Sequence, residues 1–144
     1  MHTLISDIEH LDTAIPALRA YFANLTRAHA WFEREGNLRA VSVSDVFEDG
    51  SIDATFHGVL VKFRLLYTYT VESEPIGRVV VLHCHSVFGK FEQAQIAEFS
   101  INTAGFTNLP PDGTGRVPNM TDDPGLIVLT FVRKALNDNA SLSG

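Results

Sequence analysis

Two dipeptides in the middle of the chain, Asp49-Gly50 and His57-Gly58, constrain its fold more than any other feature. Glycine in such pairs favours the tight two-residue turns of β-hairpins, because their central residues need positive φ angles. Both turns place the same three residues of the intervening segment, Ile52, Ala54 and Phe56, on one apolar face. This agreement predicts three consecutive antiparallel strands.

Two further connections extend the three strands into a meander of five. The connection at 72–77, closed symmetrically, pairs Leu65 with Cys84. Gly89-Lys90 suits a glycine-first turn and pairs Leu82 with Ala97 on the last strand. We therefore predict a sheet over about residues 38–102, with strand order 1-2-3-4-5.

This register predicts that one face of the sheet is the core. Asp45 falls on the same side, opposite Ala54, where an inward charge on an edge strand opposes aggregation. The apolar members of the face are Val41, Val43, Phe47, Ile52, Ala54, Phe56, Val59, Val61, Phe63, Leu65, Tyr67, Tyr69, Val80, Leu82, Phe88, Ala97, Phe99 and Ile101.

The opposite face is predicted to be the functional surface. A sheet face open to water is usually polar, whereas this one carries an apolar centre with charge around it. Such a patch is typical of an interface or a ligand surface, and two-fold homodimers are the commonest small oligomers. The residues predicted to form it are Leu66, Arg64, Val81, His83, His85, Ile96 and Glu98.

A helical segment is predicted over 4–35, before the sheet. Apolar residues recur there at spacings of three and four from Leu4 to Phe32, which indicates one helical face. Pro16 predicts a kink or a break in this segment. The stripe also suits a coiled-coil dimer seam, but a sheet needs a cover, and we favour packing on the sheet.

A second helix is predicted over about 122–137, after an irregular loop at 103–121. Thr121-Asp122-Asp123-Pro124 is typical of a helix start, with acidic residues and proline in the first turn. The run 126–132 is also apolar enough to be a strand. Both helices are predicted to cover the same face of the sheet, in an α+β domain that ends in a flexible tail at 138–144.

Composition and charge narrow the classes of function. The 144 residues are the size of one domain, which we take as 1–144. A net charge of -6 and a pI near 5.4 argue against nucleic acid or an anionic membrane as partner. A single cysteine forms no internal disulfide, and no signal-peptide pattern or membrane-length apolar run is visible. We predict a soluble, cytoplasmic domain.

His83-Cys84-His85 is the strongest candidate for chemistry. Two histidines two residues apart on a strand can chelate a transition metal if a third ligand is near; Glu98 and Glu92 on the adjacent strand are the candidates, and the predicted site includes Glu98. The scarcity of other ligands and the cationic Arg64 beside His85 favour interface or surface histidines instead. We therefore predict neither a metal nor a cofactor. Cys84 is predicted to face the core as a small apolar residue.

No catalytic signature stands out in the sequence. We predict a non-enzymatic binding or accessory protein that acts as a homodimer through the exposed sheet face, with a small molecule or a protein as further ligand. The alternative is a small-molecule-binding protein or an enzyme. Its pocket would lie between sheet and helices, or around His83, His85, Arg64 and Glu98.

Overall fold

Five consecutive antiparallel strands form an open sheet in the order β1-β2-β3-β4-β5, with helices before and after it. The computed structural model describes residues 2–35, 40–111 and 113–143. Its α+β architecture confirms the predicted class and strand order. The elements are α1 (His2–Ala23), a 3₁₀ turn (Asn24–Arg27), α2 (Ala28–Glu35), β1 (Val41–Val43), β2 (Ile52–Phe56), β3 (Val59–Tyr69), β4 (Pro75–Val87), β5 (Lys90–Ile101) and α3 (Pro124–Ser143).

The N-terminal helical segment is interrupted later in the chain than Pro16 predicted. α1 runs through Pro16, and the interruption is the 3₁₀ turn at Asn24–Arg27. The second half of its apolar stripe is buried, as Leu18 and Phe22 illustrate. The first half, with Leu4 and Ile8, is exposed. Only the C-terminal part of the stripe therefore covers the sheet.

The C-terminal helix α3 begins at Pro124, as predicted, and includes 126–132, where a strand was the alternative. It continues to Ser143, so residues 138–143, which were predicted as a tail, belong to the helix. Asp138 gives the physical reason, because its carboxylate contacts His83 of β4 and so ties this turn of the helix to the sheet.

Both helical segments cover one face of the sheet and enclose a single apolar core. Phe131 of α3 stacks on Phe99 of β5 at 5.4 Å between ring centroids and meets Phe63 of β3 edge-on. The strand residues of the core lie on one face: Val41, Ile52, Ala54, Val59, Val61, Phe63, Val79, Val81, Phe99 and Ile101. We call this the helix-covered face and the opposite one the outer face.

The register between β2 and β3 is the predicted one. Ile52 pairs with Phe63 and Phe56 with Val59, around a turn in which His57 and Gly58 both have positive φ. The register between β1 and β2 is shifted by two residues from the predicted one, so that Val43 lies opposite Ala54. An even shift preserves the faces. It moves Asp45 into an exposed loop, so the predicted inward carboxylate is wrong.

The register between β3 and β4 differs from the prediction by an odd number of residues. Leu65 pairs with Val79, not with Cys84. The turn occupies Thr70–Glu74, where the Thr70 hydroxyl oxygen accepts two backbone N–H groups and Ser73 has a φ of 63°. β4 therefore starts at Pro75, earlier than a symmetric closure places it. An odd shift turns every side chain of the strand to the opposite face.

A second irregularity lies between β4 and β5. The turn is Phe88-Gly89, both with positive φ, so Val87 pairs with Lys90. A β-bulge then leaves Ile96 as an extra residue, because Val81 pairs with Ala97 and Leu82 with Gln95.

Candidate functional site

No described helix covers the outer face of the sheet. The core that the helices enclose takes its strand residues from the other face. Alternation along the observed strands defines the outer face by Asp53, Thr55, Leu60, Lys62, Arg64, Leu66, Arg78, Val80, Leu82, Cys84, Gln93, Gln95 and Glu98.

Only three of the seven predicted interface residues lie on this face. Arg64, Leu66 and Glu98 are there, and all three are exposed. The predicted positions of Val81, His83, His85 and Ile96 are wrong. Val81 is fully buried under the helices, His83 and His85 share its face, and the bulged Ile96 packs against the core. The odd register shift at β3–β4 and the bulge in β5 cause these errors.

The apolar residues of the outer face are Leu60 and Leu66 of β3 and Val80 and Leu82 of β4, of which the last two were assigned to the core. Val80 is diagonal to Leu66 and Leu82 is diagonal to Leu60, and each of the four is at least partly exposed. Alternation around the correct turn would have identified them. Thr70-Val71-Glu72-Ser73-Glu74 gives a weak signal for that turn, because it contains neither glycine nor proline.

Charges of both signs lie between and around these apolar residues. Asp53 and Lys62 form a cross-strand ion pair at 3.0 Å. Arg78 of β4 pairs with Glu98 of β5. Arg64 stands between the two pairs, directly opposite Val80. Between Arg64, Arg78 and Val80, a shallow groove of about 350 Å³ crosses the face.

Cys84 is buried, as predicted, but belongs to the outer side of β4, opposite Leu60 and Gln93. Burial raises the pKa of its thiol, and the nearby Asp53 carboxylate acts in the same direction. A neutral thiol of this kind is a poor nucleophile. Its role is that of a small apolar side chain.

The two histidines instead form a polar cluster with α3 and β5 on the helix-covered face. His83 is 1% exposed, and its Nδ1 lies 2.6 Å from Oδ2 of Asp138. The His85 ring is 5.1 Å from that of His83, and its Nε2 lies 3.6 Å from Oε2 of Glu92. The sequence did not identify Asp138, because it fell in the predicted tail.

The arrangement does not support the metal site of His83, His85 and Glu98. Glu98 lies on the outer face with Arg78, on the other side of the sheet from the imidazoles. Within the described parts of the chain, no three His, Cys, Asp or Glu residues are grouped to hold a metal ion.

A cleft of about 460 Å³ lies between α1, β3 and the loop before β2; we call it the inner cleft. Arg19 and Phe22 of α1 form one wall, and Leu65 and Tyr67 of β3 form another. Volumes of a few hundred Å³ are typical of small-molecule sites. Its lining combines an apolar base with a guanidinium and a phenol.

Among the described helices, none is both long enough and apolar enough to cross a membrane. Comparisons of the chain with protein-family models, with curated proteins and with solved structures gave no significant match.

Proposed function

We propose that this protein is a non-enzymatic binding or accessory protein that acts as a homodimer through its outer sheet face. The observation that carries the proposal is the apolar centre of that face. Leu60, Leu66, Val80 and Leu82 remain at least partly exposed, with no described helix over them. An exposed apolar patch with a charged rim is typical of an interaction site.

The size of the face supports a partner as large as a second copy. β3, β4 and β5 contain 11, 13 and 12 residues. At about 3.3 Å per residue and 4.8 Å between strands, they present roughly 500 Å². Two such faces would bury about 1,000 Å² in total, which reaches the lower limit for a specific protein interface.

The charge pattern supports self-association in preference to a strongly charged partner. Two of the three cations Lys62, Arg64 and Arg78 are offset by Asp53 and Glu98, which leaves one positive charge on this face. A two-fold axis through the centre brings each patch against its own copy. Arg64 of one copy can then approach Glu98 of the other.

Light scattering on the purified protein tests this proposal. We expect a mass of twice the 15.9 kDa of the chain, and a monomer for Leu82→Glu. Lys62 lies directly opposite Leu82, so the new carboxylate has a cation beside it and the monomer should still fold. Val71→Glu, in the exposed turn between β3 and β4, is the matched control and should remain dimeric.

Two results would contradict the proposal. One is a monomeric natural protein at micromolar concentration. The other is an unchanged mass for Leu82→Glu, which would assign any dimer to a different surface, such as the exposed edge of β5 or the exposed first turns of α1.

A second candidate function is small-molecule binding in the inner cleft, and the lining of that cleft is the observation that favours it. The polar side chains of Arg19 and Tyr67 line it together with the apolar Phe22 and Leu65. A compound found by a thermal-shift screen should lose its stabilising effect in Arg19→Gln or Tyr67→Phe. Arg64→Gln, on the outer face, should keep it; equal loss in all three variants would exclude the inner cleft as the site.

A further inference from the structure

A second cleft, of about 650 Å³, lies between α2 and the loop that leads into α3. Its lining includes Arg27, Trp31 and Arg34 on one side and Arg116 and Asp122 on the other. We call it the arginine–tryptophan cleft. It is separate from both surfaces considered above, since it shares no lining residue with the inner cleft and contains no outer-face residue.

Helical spacing places the cationic groups around the indole. Arg27, Trp31 and Arg34 are separated by four and three residues, so they occupy one face of the helical segment. Arg27 and Arg34 are exposed and Trp31 is partly exposed. Trp31 therefore lies between the two arginine positions on this face, and all three residues line the cleft.

The Trp31 ring is held firmly from below. A Cβ atom on Gly125 would lie 2.4 Å from Cε3 and 2.5 Å from Cδ2 of the indole. The ring consequently rests directly on the backbone of the first turn of α3, where only glycine leaves room. A fixed aromatic surface of this kind suits a flat ligand ring, because it loses little conformational freedom on binding.

The opposite wall is also fixed. Nη2 of Arg116 lies 2.9 Å from Oδ2 of the buried Asp123, which also accepts the backbone N–H of Asn119. The same guanidinium nitrogen is 3.5 Å from Asp122. These contacts hold the Arg116 guanidinium beside the start of α3.

The balance of charge in the cleft is opposite to that of the chain. Three of the eleven Lys and Arg residues line it, against the two carboxylates of Asp122 and Asp123. Both carboxylates contact Arg116, whereas Arg27 makes no ion pair within the described residues. The cleft is thus locally cationic on a chain of net charge -6, which favours an anion.

From these observations we infer that the arginine–tryptophan cleft binds a small molecule that carries a flat ring and a phosphate or carboxylate group. The ring stacks against Trp31, as bases stack on aromatic side chains. The anionic group receives charge-assisted hydrogen bonds from Arg27 and Arg34, since a guanidinium matches the geometry of both phosphate and carboxylate.

The single tryptophan of the chain provides the readout. Trp31 fluorescence and the NMR signal of its indole N–H are followed while adenosine 5′-monophosphate, benzoate, adenosine or inorganic phosphate is added. Adenosine 5′-monophosphate combines a ring with a phosphate, and benzoate combines a ring with a carboxylate. Adenosine supplies the ring alone, and inorganic phosphate supplies the phosphate alone. We expect at least one combined probe to bind more tightly than adenosine and inorganic phosphate do.

Substitutions locate the binding. Arg27→Gln and Arg34→Gln should weaken the combined probe about tenfold, the usual effect of losing one charge-assisted hydrogen bond. Both side chains are exposed, so the variants should fold normally. Arg133→Gln removes an exposed arginine of α3 outside the cleft and should leave the affinity unchanged.

Three results would overturn the inference. The first is no response of Trp31 to either combined probe at millimolar concentration. The second is adenosine binding as tightly as its monophosphate when benzoate also fails to bind. The third is an equal loss of affinity in Arg133→Gln. None of them bears on the homodimer, because that proposal is tested by mass and by a residue on the outer face.

Discussion

Nδ1 of His83 on β4 lies 2.6 Å from Oδ2 of Asp138 on α3, a contact between residues 55 positions apart in the chain. A carboxylate only accepts hydrogen bonds, so Nδ1 carries the proton and donates it. His83 is almost completely buried, whereas the Asp138 side chain is partly exposed. The pair joins the last turns of the C-terminal helix to the sheet.

Removing the acceptor should destabilise the protein. Asp138→Ala leaves a buried N–H donor without its partner, which costs about 1–3 kcal/mol. Urea unfolding followed by circular dichroism measures the change. Lys134→Ala, an exposed position one turn earlier in α3, is the control and should alter the free energy of unfolding by less than about 0.5 kcal/mol. Equal effects of the two substitutions would mean that the contact does not stabilise the fold.

Adjacent residues of β4 should respond very differently to the same substitution. Val81 is fully buried on the helix-covered face, and Val80 is partly exposed on the outer face. Val81→Thr places a hydroxyl in an apolar core at nearly constant volume, which costs about 1–3 kcal/mol. Because Val80 belongs to the proposed dimer interface, both substitutions are made in the monomeric Leu82→Glu protein, where Val80→Thr should cost less than about 0.5 kcal/mol.

Thermal and urea unfolding of both valine variants check this contrast at equal protein concentration. A larger loss of stability for Val80→Thr than for Val81→Thr would mean that Val80, not Val81, faces the helices. It would restore the register in which Leu65 pairs with Cys84.

The sequence was sufficient at one of the three glycine-containing turns, because Asp49-Gly50 and Gly89-Lys90 each gave a register that differs from the observed one. His57-Gly58 fixes the β2–β3 register, and the structure has the same pairs. The turn between β3 and β4 relies instead on the Thr70 hydroxyl and on Ser73 at positive φ. Unlike glycine, serine is not typical of positions with positive φ, so the sequence did not predict the length of this turn.

Two errors in the predicted sheet cancelled on β5. The β3–β4 register was wrong by five residues, and the β4–β5 register beyond the bulge by one. Each error of an odd number of residues moves the side chains of the next strand to the opposite face, and two such errors return them to the correct face. Phe99 was therefore correctly assigned to the core and Glu98 to the outer face, although the side chains of β4 were assigned to the wrong faces. The outer face was found as a surface, but most of its apolar residues were misidentified.

Gly125, in the first turn of α3, should not tolerate replacement by alanine. In an open helix, Gly→Ala stabilises by about 1 kcal/mol. At Gly125 the new methyl would lie well under 3 Å from three atoms of the Trp31 ring, and overpacking of that kind costs about 1–3 kcal/mol. We expect a lower melting temperature and an altered Trp31 emission spectrum.

Gly113→Ala is the matched control for Gly125→Ala. A Cβ atom there meets nothing within 4 Å, so neither stability nor emission should change. A Gly125→Ala protein with unchanged fluorescence would show that the indole does not rest on α3.

The hydroxyl of Ser51 should control the acidity of Asp49. Ser51 Oγ donates to Oδ1 of Asp49 at 2.6 Å, and the Ser51 N–H donates to the same oxygen at 3.0 Å. These bonds lower the pKa of Asp49 from its ordinary value of 3.8. Ser51→Ala removes the first bond and should raise this pKa, as an NMR titration of the carboxyl carbon would measure.

The sign of the stability effect follows from the lowered pKa of Asp49. A carboxylate favoured in the folded state stabilises the protein above the ordinary pKa, and this contribution is lost as the pH falls through the lowered value. The Ser51→Ala protein should therefore lose less stability on acidification below pH 4 or so. Ser42→Ala, on the exposed side of β1, should behave as the natural protein does.

The extra residue at Ile96 gives β5 one place where its length can change without exchanging its faces. Before it, Ala94 faces the same way as its partner His83; after it, Ala97 faces the same way as Val81. Deleting Ile96 would leave one residue between Ala94 and Ala97, so regular alternation would keep Glu98 on the outer face and Phe99 under the helices. Deleting a residue from the regular part of the strand, without a compensating insertion, would exchange the faces beyond it. Insertions and deletions in descendants of this sequence should accordingly accumulate in the turn at Thr70–Glu74 and at the bulge, and spare the regular part of β5, even where the strand accepts many exchanges of one side chain for another.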